Sequence, residues 1–163
     1  MNRRNHIYVE LAYLLILGAS LGAVLVLGII VASVIFNSEH YLSMALLDHY
    51  NEGMLMGEIF HRFSYWTYAL SIIVVVYEAW EYRALRRDAV AQIAALVVLG
   101  TSLMFSGVYA PKILQMQALG AEATMSDAFD ALHKASELDF KILALALGVL
   151  FCRRVMLLRV VKV

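Results

Sequence analysis

The chain has 163 residues, 63% of them hydrophobic and only 16% charged, with a mean hydropathy of +0.76. Soluble domains hold about 45–50% apolar and about 25% charged residues, so an ordinary water-soluble globule is excluded. Thirteen basic and thirteen acidic side chains cancel, which excludes a basic nucleic-acid binder and an acidic disordered tail, and the single cysteine excludes a disulfide framework or multi-cysteine zinc site.

Four stretches match the roughly 20 apolar residues that a spanning helix needs. The first runs over residues 7–36, with no charge after Glu10. Arg3 and Arg4 precede it, but the run is too long for a signal-peptide core and no small-residue cleavage site follows, so it reads as an uncleaved span. The second covers 54–82, the third, uncharged throughout, 89–110, and the fourth 138–158. One proline and nine glycines leave no room for a long linker, so residues 1–163 read as one domain. The fold expected is all-α, an integral membrane four-helix bundle; the alternation of an outer-membrane barrel is absent.

Nine basic residues flank one set of helix ends: Arg3, Arg4, Arg83, Arg86, Arg87, Arg153, Arg154, Arg159 and Lys162. The other side holds Arg62, Lys112, Lys134 and Lys141. The positive-inside rule then places both termini in the cytoplasm and the protein, multi-pass, in the inner (cytoplasmic) membrane. Tyr8, Tyr13, Tyr77, Trp80 and Tyr82 on the inner side, and Tyr65, Trp66 and Tyr109 on the outer, read as interfacial anchors. Gly18-x-x-x-Gly22 is a small-residue packing face for another helix. Cys152, at the inner end of span four, reads as a buried, inert thiol.

The outer side holds nine of the thirteen carboxylates, four of five histidines (His40, His49, His61, His133), and Met44, Met54, Met56, Met116 and Met125. Imidazole and thioether together suit copper. Glu58-x-x-His61 in span two, with Tyr65 continuing that face, and His133 with Glu137 at the start of span four, each present ligand-type side chains on one helix face. Glu-x-x-His also builds di-iron sites, but a second copy and two further Glu are needed and are missing. Only eleven uncharged residues separate Lys141 from Arg153, about 16 Å of helix against a hydrocarbon core of about 30 Å, so charged residues must dip into the membrane. This predicts a polar pocket in the outer half of the bundle between spans two and four. Its metal ligands would be Glu58, His61, His133 and Glu137, with Met54, Met56, Arg62, Tyr65, Asp139 and Lys141 supporting. The plain alternative is a knot of ion pairs, Glu58–Arg62 with Glu137–Lys134–Lys141, that only pins the helices. Ser71, Gln92, Thr101 and Ser102 are the most polar groups near the midplane, which argues against a proton pump with a midplane carboxylate.

Several motifs carry a resemblance: Gly18-Ala-Ser-Leu-Gly22 running to Phe36; Glu52-Gly53-Met-Leu-Met-Gly57-Glu-Ile-Phe60-His-Arg62-Phe; Pro111 after span three; and Phe129 with Leu132-His133-Lys134. In their order they resemble a family of small four-helix membrane proteins of unknown function grouped with transmembrane protein 205. A looser likeness is to the copper-resistance D membrane domain, which has more helices. The first resemblance implies the four-helix fold, draws notice to Phe60, Arg62 and His133, and supplies no activity. Three functions follow as expectations: a copper-binding pocket at the periplasmic face, a bis-histidine haem b electron carrier using His61 and His133, and a non-catalytic subunit of a larger membrane complex or homo-oligomer. The partners implied are the lipid bilayer and other membrane subunits, with no nucleic acid.

Overall fold

Asp48 and Asp88 start two of the long helices. The Asp48 carboxylate accepts from the Asn51 backbone N–H at 2.8 Å and that of Asp88 from Ala91 N–H at 2.9 Å, each satisfying a donor that the first helical turn leaves free. A computed structural model of the chain describes residues 3–42 and 47–160; Met44 and Lys162 lie outside the described residues, and Arg3, Arg4 and Arg159 are described in backbone only. All regular structure among the described residues is helical. The first rod is α1 (Arg3–Leu25), a π-helical turn (Val26–Val31) and α2 (Ala32–Ile35). Helix α3 (His49–Arg83) is the second, and α4 (Ala89–Met104), a second π-helical turn (Phe105–Tyr109) and α5 (Ala110–Ala118) form the third. The short α6 (Ala121–Thr124) leads into α7 (Asp127–Val160).

The rods outrun the expected spans at several ends. The third does not stop at Pro111. Proline lacks an N–H and its ring crowds the carbonyl four residues back, here Gly107. That carbonyl lies inside the π-helical turn, whose wider ring lets the helix continue past Pro111 to Ala118. Helix α3 closes at Ala84–Arg86: Arg86 N–H returns to Glu81 O and Leu85 N–H to Tyr82 O, with Leu85 at φ 60°. This is the Schellman pattern, with leucine where glycine is usual.

Among the described residues three helices are long and apolar enough to cross a membrane: His6–Ile35, His49–Arg83 and Ala89–Ala118. Helix α7 is not among them. Its uncharged run ends at Arg153 and Arg154, and any longer stretch takes in Lys141 or the arginines. Leu15, Ile72, Leu96 and Leu145, one from each rod, are 66–73% exposed, an outward apolar surface suited to lipid.

Inside, α4 presents Ala91, Ala94, Ala95, Val98 and Ser102 at helical spacing, and α7 presents Leu143, Leu147 and Leu150, all buried. Between apolar helices in lipid the transfer of apolar area gains little, so close van der Waals fit and polar contacts decide association. The small α4 residues permit that close approach, and α4 packs along both α3 and α7, with α1 against the other side of α7. Gly18 belongs to this interior, since an added Cβ would rest 3.4 Å from the Phe151 ring. Gly22 faces open space, so the expected Gly18–Gly22 face is divided between internal packing and an outer surface. Tyr13 and Tyr77 correct the anchor reading: both are buried, their rings stacked at 3.8 Å. Cys152 corrects another, being exposed.

The start of α1, the α3–α4 link and the end of α7 meet at one end of the molecule. His6 of α1 reaches Glu81 of α3 at 3.2 Å, Tyr13 donates to Glu78 at 3.1 Å, and Arg153 of α7 grips Asp88 through two bonds of 2.7 and 3.0 Å. Arg154, 2% exposed, donates from Nε to Glu78 at 2.9 Å, pairs again with Glu78 through Nη2, and reaches Glu81 at 3.3 Å.

Candidate ligand cavity

At the opposite end, where α3 and α7 begin and α5 stops, the helices leave a cavity of about 290 Å³. Specific pockets for small molecules start near 300 Å³ and are mostly apolar with a few placed polar groups. This one fits that description. Phe36, Phe60, Phe105 and Phe129 supply aromatic walls, and Tyr50, Gln117 and His133 the polar points. The depth is built by a ring cluster in which Phe105 meets Phe60 at 5.5 Å and Phe140 at 5.2 Å, both separations at which aromatic edges and faces attract.

One wall is stitched by Gln117. Its Nε2 donates to Gly53 O at 2.8 Å, and its own carbonyl accepts from the Tyr50 hydroxyl at 2.7 Å. Its Oε1 has no hydrogen-bond partner and abuts Gly57, where an added Cβ would collide with it. Gly57 is therefore a close-approach glycine, and Gly53 beside it exposes the carbonyl that orients the amide. Glu52, one position earlier, is buried and accepts from Ser38 Oγ at 2.6 Å, tying the first rod to α3. Asp130 and Lys134 pair along α7 at 2.8 Å near the mouth; that bond holds the Asp130 carboxyl below its ordinary range and the Lys134 ammonium above its own.

The expected ligand set is not gathered here. Glu58 pairs with Arg62 at 2.7 Å on an exposed face of α3, and His61 meets the Tyr65 hydroxyl at 3.3 Å on that same helix. Glu137 pairs with Lys141 at 2.7 Å, also exposed. His133 alone of the four lines the cavity, flanked by Phe36 and by Phe129, whose ring lies nearly parallel to it. Of the supporting residues, Met56 is buried in the cavity wall while Met54 is exposed. Asp139 is buried, and its Oδ2 has no partner. Among the described residues no three His, Cys, Asp or Glu side chains are grouped to hold a metal ion. The knot of ion pairs is also corrected: Lys134 chooses Asp130, and each of the three pairs joins residues four apart on one helix, so they link no helices.

Two features went beyond the sequence reading. The pocket expected between spans two and four is aromatic rather than polar, and its third wall needed the α5 extension beyond Pro111, which brings Gln117 over Gly53 and Gly57. The buried Glu78–Arg154 centre had a visible signal, the Glu78-x-x-Glu81 pair inside an apolar stretch with Arg153-Arg154 available opposite.

Comparison with protein families gives one match, a domain of unknown function (DUF4149), over residues 15–122. The matched stretch is about two thirds of the chain, and the chain belongs to this family. Nothing in the comparisons supports the transmembrane protein 205 or copper-resistance D likeness. No curated protein matches the chain. No solved structure matches it either. The match ends before α7, so His133, Asp139 and Arg154 lie outside it.

Proposed function

We propose that the chain is a four-span protein of the cytoplasmic membrane, both termini inside, that binds a small, mainly apolar molecule in the aromatic cavity at its periplasmic end. The observation that carries this reading is the cavity itself. It is as large as a small-molecule site, walled by phenylalanines, and furnished with an imidazole that makes no side-chain hydrogen bond among the described residues. Basic residues crowd the terminal end and support the orientation. The ion pair of Arg154 with Glu78 supports a short fourth span, because it lets an arginine sit within the helix packing without an uncompensated charge.

The metal and haem readings drew on His61 and His133 meeting. With His61 engaged by Tyr65 and His133 among phenylalanines, binding of an apolar molecule fits the arrangement better. A subunit role has one observation in its favour, the open space over Gly22 on the first rod. It is compatible with ligand binding.

The test is equilibrium dialysis of neopentylbenzene against the purified protein in zwitterionic nanodiscs, with empty discs as reference. Saturable uptake approaching one molecule per chain is expected, and its loss in Ser136→Phe, which fills the cavity from α7. Uptake no greater than that of empty discs, in a protein with native circular dichroism, refutes the reading.

A further inference from the structure

The cavity sits at an acidic end of the molecule. Nine carboxylates and four basic side chains belong to this end of the chain. Three of the four bases are already taken by carboxylates on their own helices: Arg62 by Glu58, Lys134 by Asp130 and Lys141 by Glu137. That leaves Lys112 against a count of six remaining carboxylates: Glu39, Asp48, Glu52, Glu122, Asp127 and Asp139. A cleft with low-dielectric walls and one sign of surrounding charge concentrates ions of the opposite sign.

Asp139 adds an independent observation. It is 9% exposed, its Oδ2 makes no hydrogen bond, and no cation stands against it among the described residues. A buried carboxylate in that condition is costly unless it takes up a proton or a counter-charge, and a bound cation would supply the latter. Its chain neighbour Phe140 packs on Phe60 at 5.4 Å and on Phe105 at 5.2 Å, two rings of the cavity wall, and Ser136, one turn before it, lines the cavity directly. An uncompensated carboxylate therefore lies one turn beyond the cavity lining on α7. The walls are phenylalanine faces, whose quadrupole attracts cations, and a desolvated site strengthens that attraction to about 2 kcal/mol.

Resting on the cavity reading above, we infer that the ligand is a lipophilic organic cation, an amine or quaternary ammonium with an apolar body, held between phenylalanine rings with Asp139 as its counter-charge. The apolar walls alone accept a neutral hydrocarbon. The acid surplus, the π faces and the unpaired carboxylate all favour the same molecule bearing a positive charge.

The experiment compares two probes of equal shape, benzyltrimethylammonium and neopentylbenzene, in which a quaternary nitrogen replaces a quaternary carbon. Both are dialysed against the full chain in zwitterionic nanodiscs, so that lipid charge draws neither. The cation is expected to bind the protein about tenfold tighter than the hydrocarbon, after subtraction of empty discs. Asp139→Asn is expected to reduce that preference several-fold and leave hydrocarbon binding in place. Should Asp139→Asn not fold, Phe129→Leu at the mouth is the second variant, expected to weaken the cation alone. Equal affinity for the two probes, or a preference undiminished in the variant that folds, overturns the inference while the cavity stands. Binding of neither probe overturns the cavity reading, and the inference with it.

Discussion

Arg154 and Arg62 show how differently two arginines of one chain are used. Arg62 pairs with Glu58 in the open, both largely exposed, where solvent screens the charge and side-chain entropy opposes the bond. Arg154 is 2% exposed and answers two buried carboxylates, Glu78 and Glu81. Removing it strands the Glu78 charge, while Glu81 keeps His6 and Arg86, and breaking a buried pair from one side costs about 3–5 kcal/mol. Arg154→Ala is expected to lower the SDS-unfolding midpoint in mixed micelles by a corresponding amount, while Arg62→Ala leaves the midpoint in place; equal effects would contradict this. Asp88, in the link between α3 and α4, carries a pH signature. The hydrogen bonds from Arg153, with that from Ala91 N–H, hold its carboxyl down to about 2 from an ordinary 3.8. A carboxyl lowered in the folded state contributes stability that is fully present above its unfolded value and is lost as pH falls through the folded one. The melting temperature of wild type relative to Asp88→Asn is therefore expected to fall between pH of about 4 and about 2, and to be flat above that window. At this scale the sequence revealed residue types better than their company. His133 and Met56 were singled out in the sequence, and both line the cavity. The pairing of Glu58, His61 and Glu137 along their own helices was not, because spacing of three or four shows that side chains share a face and says nothing of what that face meets.

The helices themselves were nearly all readable, since apolar runs of this length have few alternatives in lipid. Their ends were less so. Asp48 and Asp88 are strong caps, yet α3 starts well before the apolar run because Asp48 captures the Asn51 N–H. The third rod passes Pro111 because a π-helical turn relieves the crowding, an arrangement that a breaker rule does not anticipate. The reverse applies at Leu85. Nothing in its side chain favours a positive φ, but the Schellman bonds of Arg86 and Leu85 require it. Leu85 is 77% exposed, so little packing is lost by shortening it. Leu85→Gly is expected to stabilise the protein by roughly 0.5–1 kcal/mol, as the relief of left-handed strain outweighs the added freedom of the unfolded chain. A lower unfolding midpoint for Leu85→Gly in mixed micelles would contradict that account of the turn.

Taken whole, the molecule has two unlike ends. The terminal end is basic and locked by buried ion pairs; the far end is acidic and hollow. Charge asymmetry of this kind was the clearest signal in the sequence. A pocket between spans two and four was expected at that end; its aromatic lining was not, because it arises where three rods and a connecting turn fail to fill the space between them. The orientation is open to a direct check in a Cys152→Ser background, using Leu85→Cys at the terminal end and Met125→Cys, 83% exposed in the wild type, at the other. An impermeant maleimide is expected to label the second in intact spheroplasts and the first only in inverted vesicles; the opposite pattern would invert the topology. The proposed role requires that the cavity hold a molecule. Native mass spectrometry of the protein released from nanodiscs, after incubation with benzyltrimethylammonium, tests that most directly. A single adduct of the probe's mass, absent from Ser136→Phe, is the result predicted. Only the unliganded mass of each protein, with probe in excess, would contradict it.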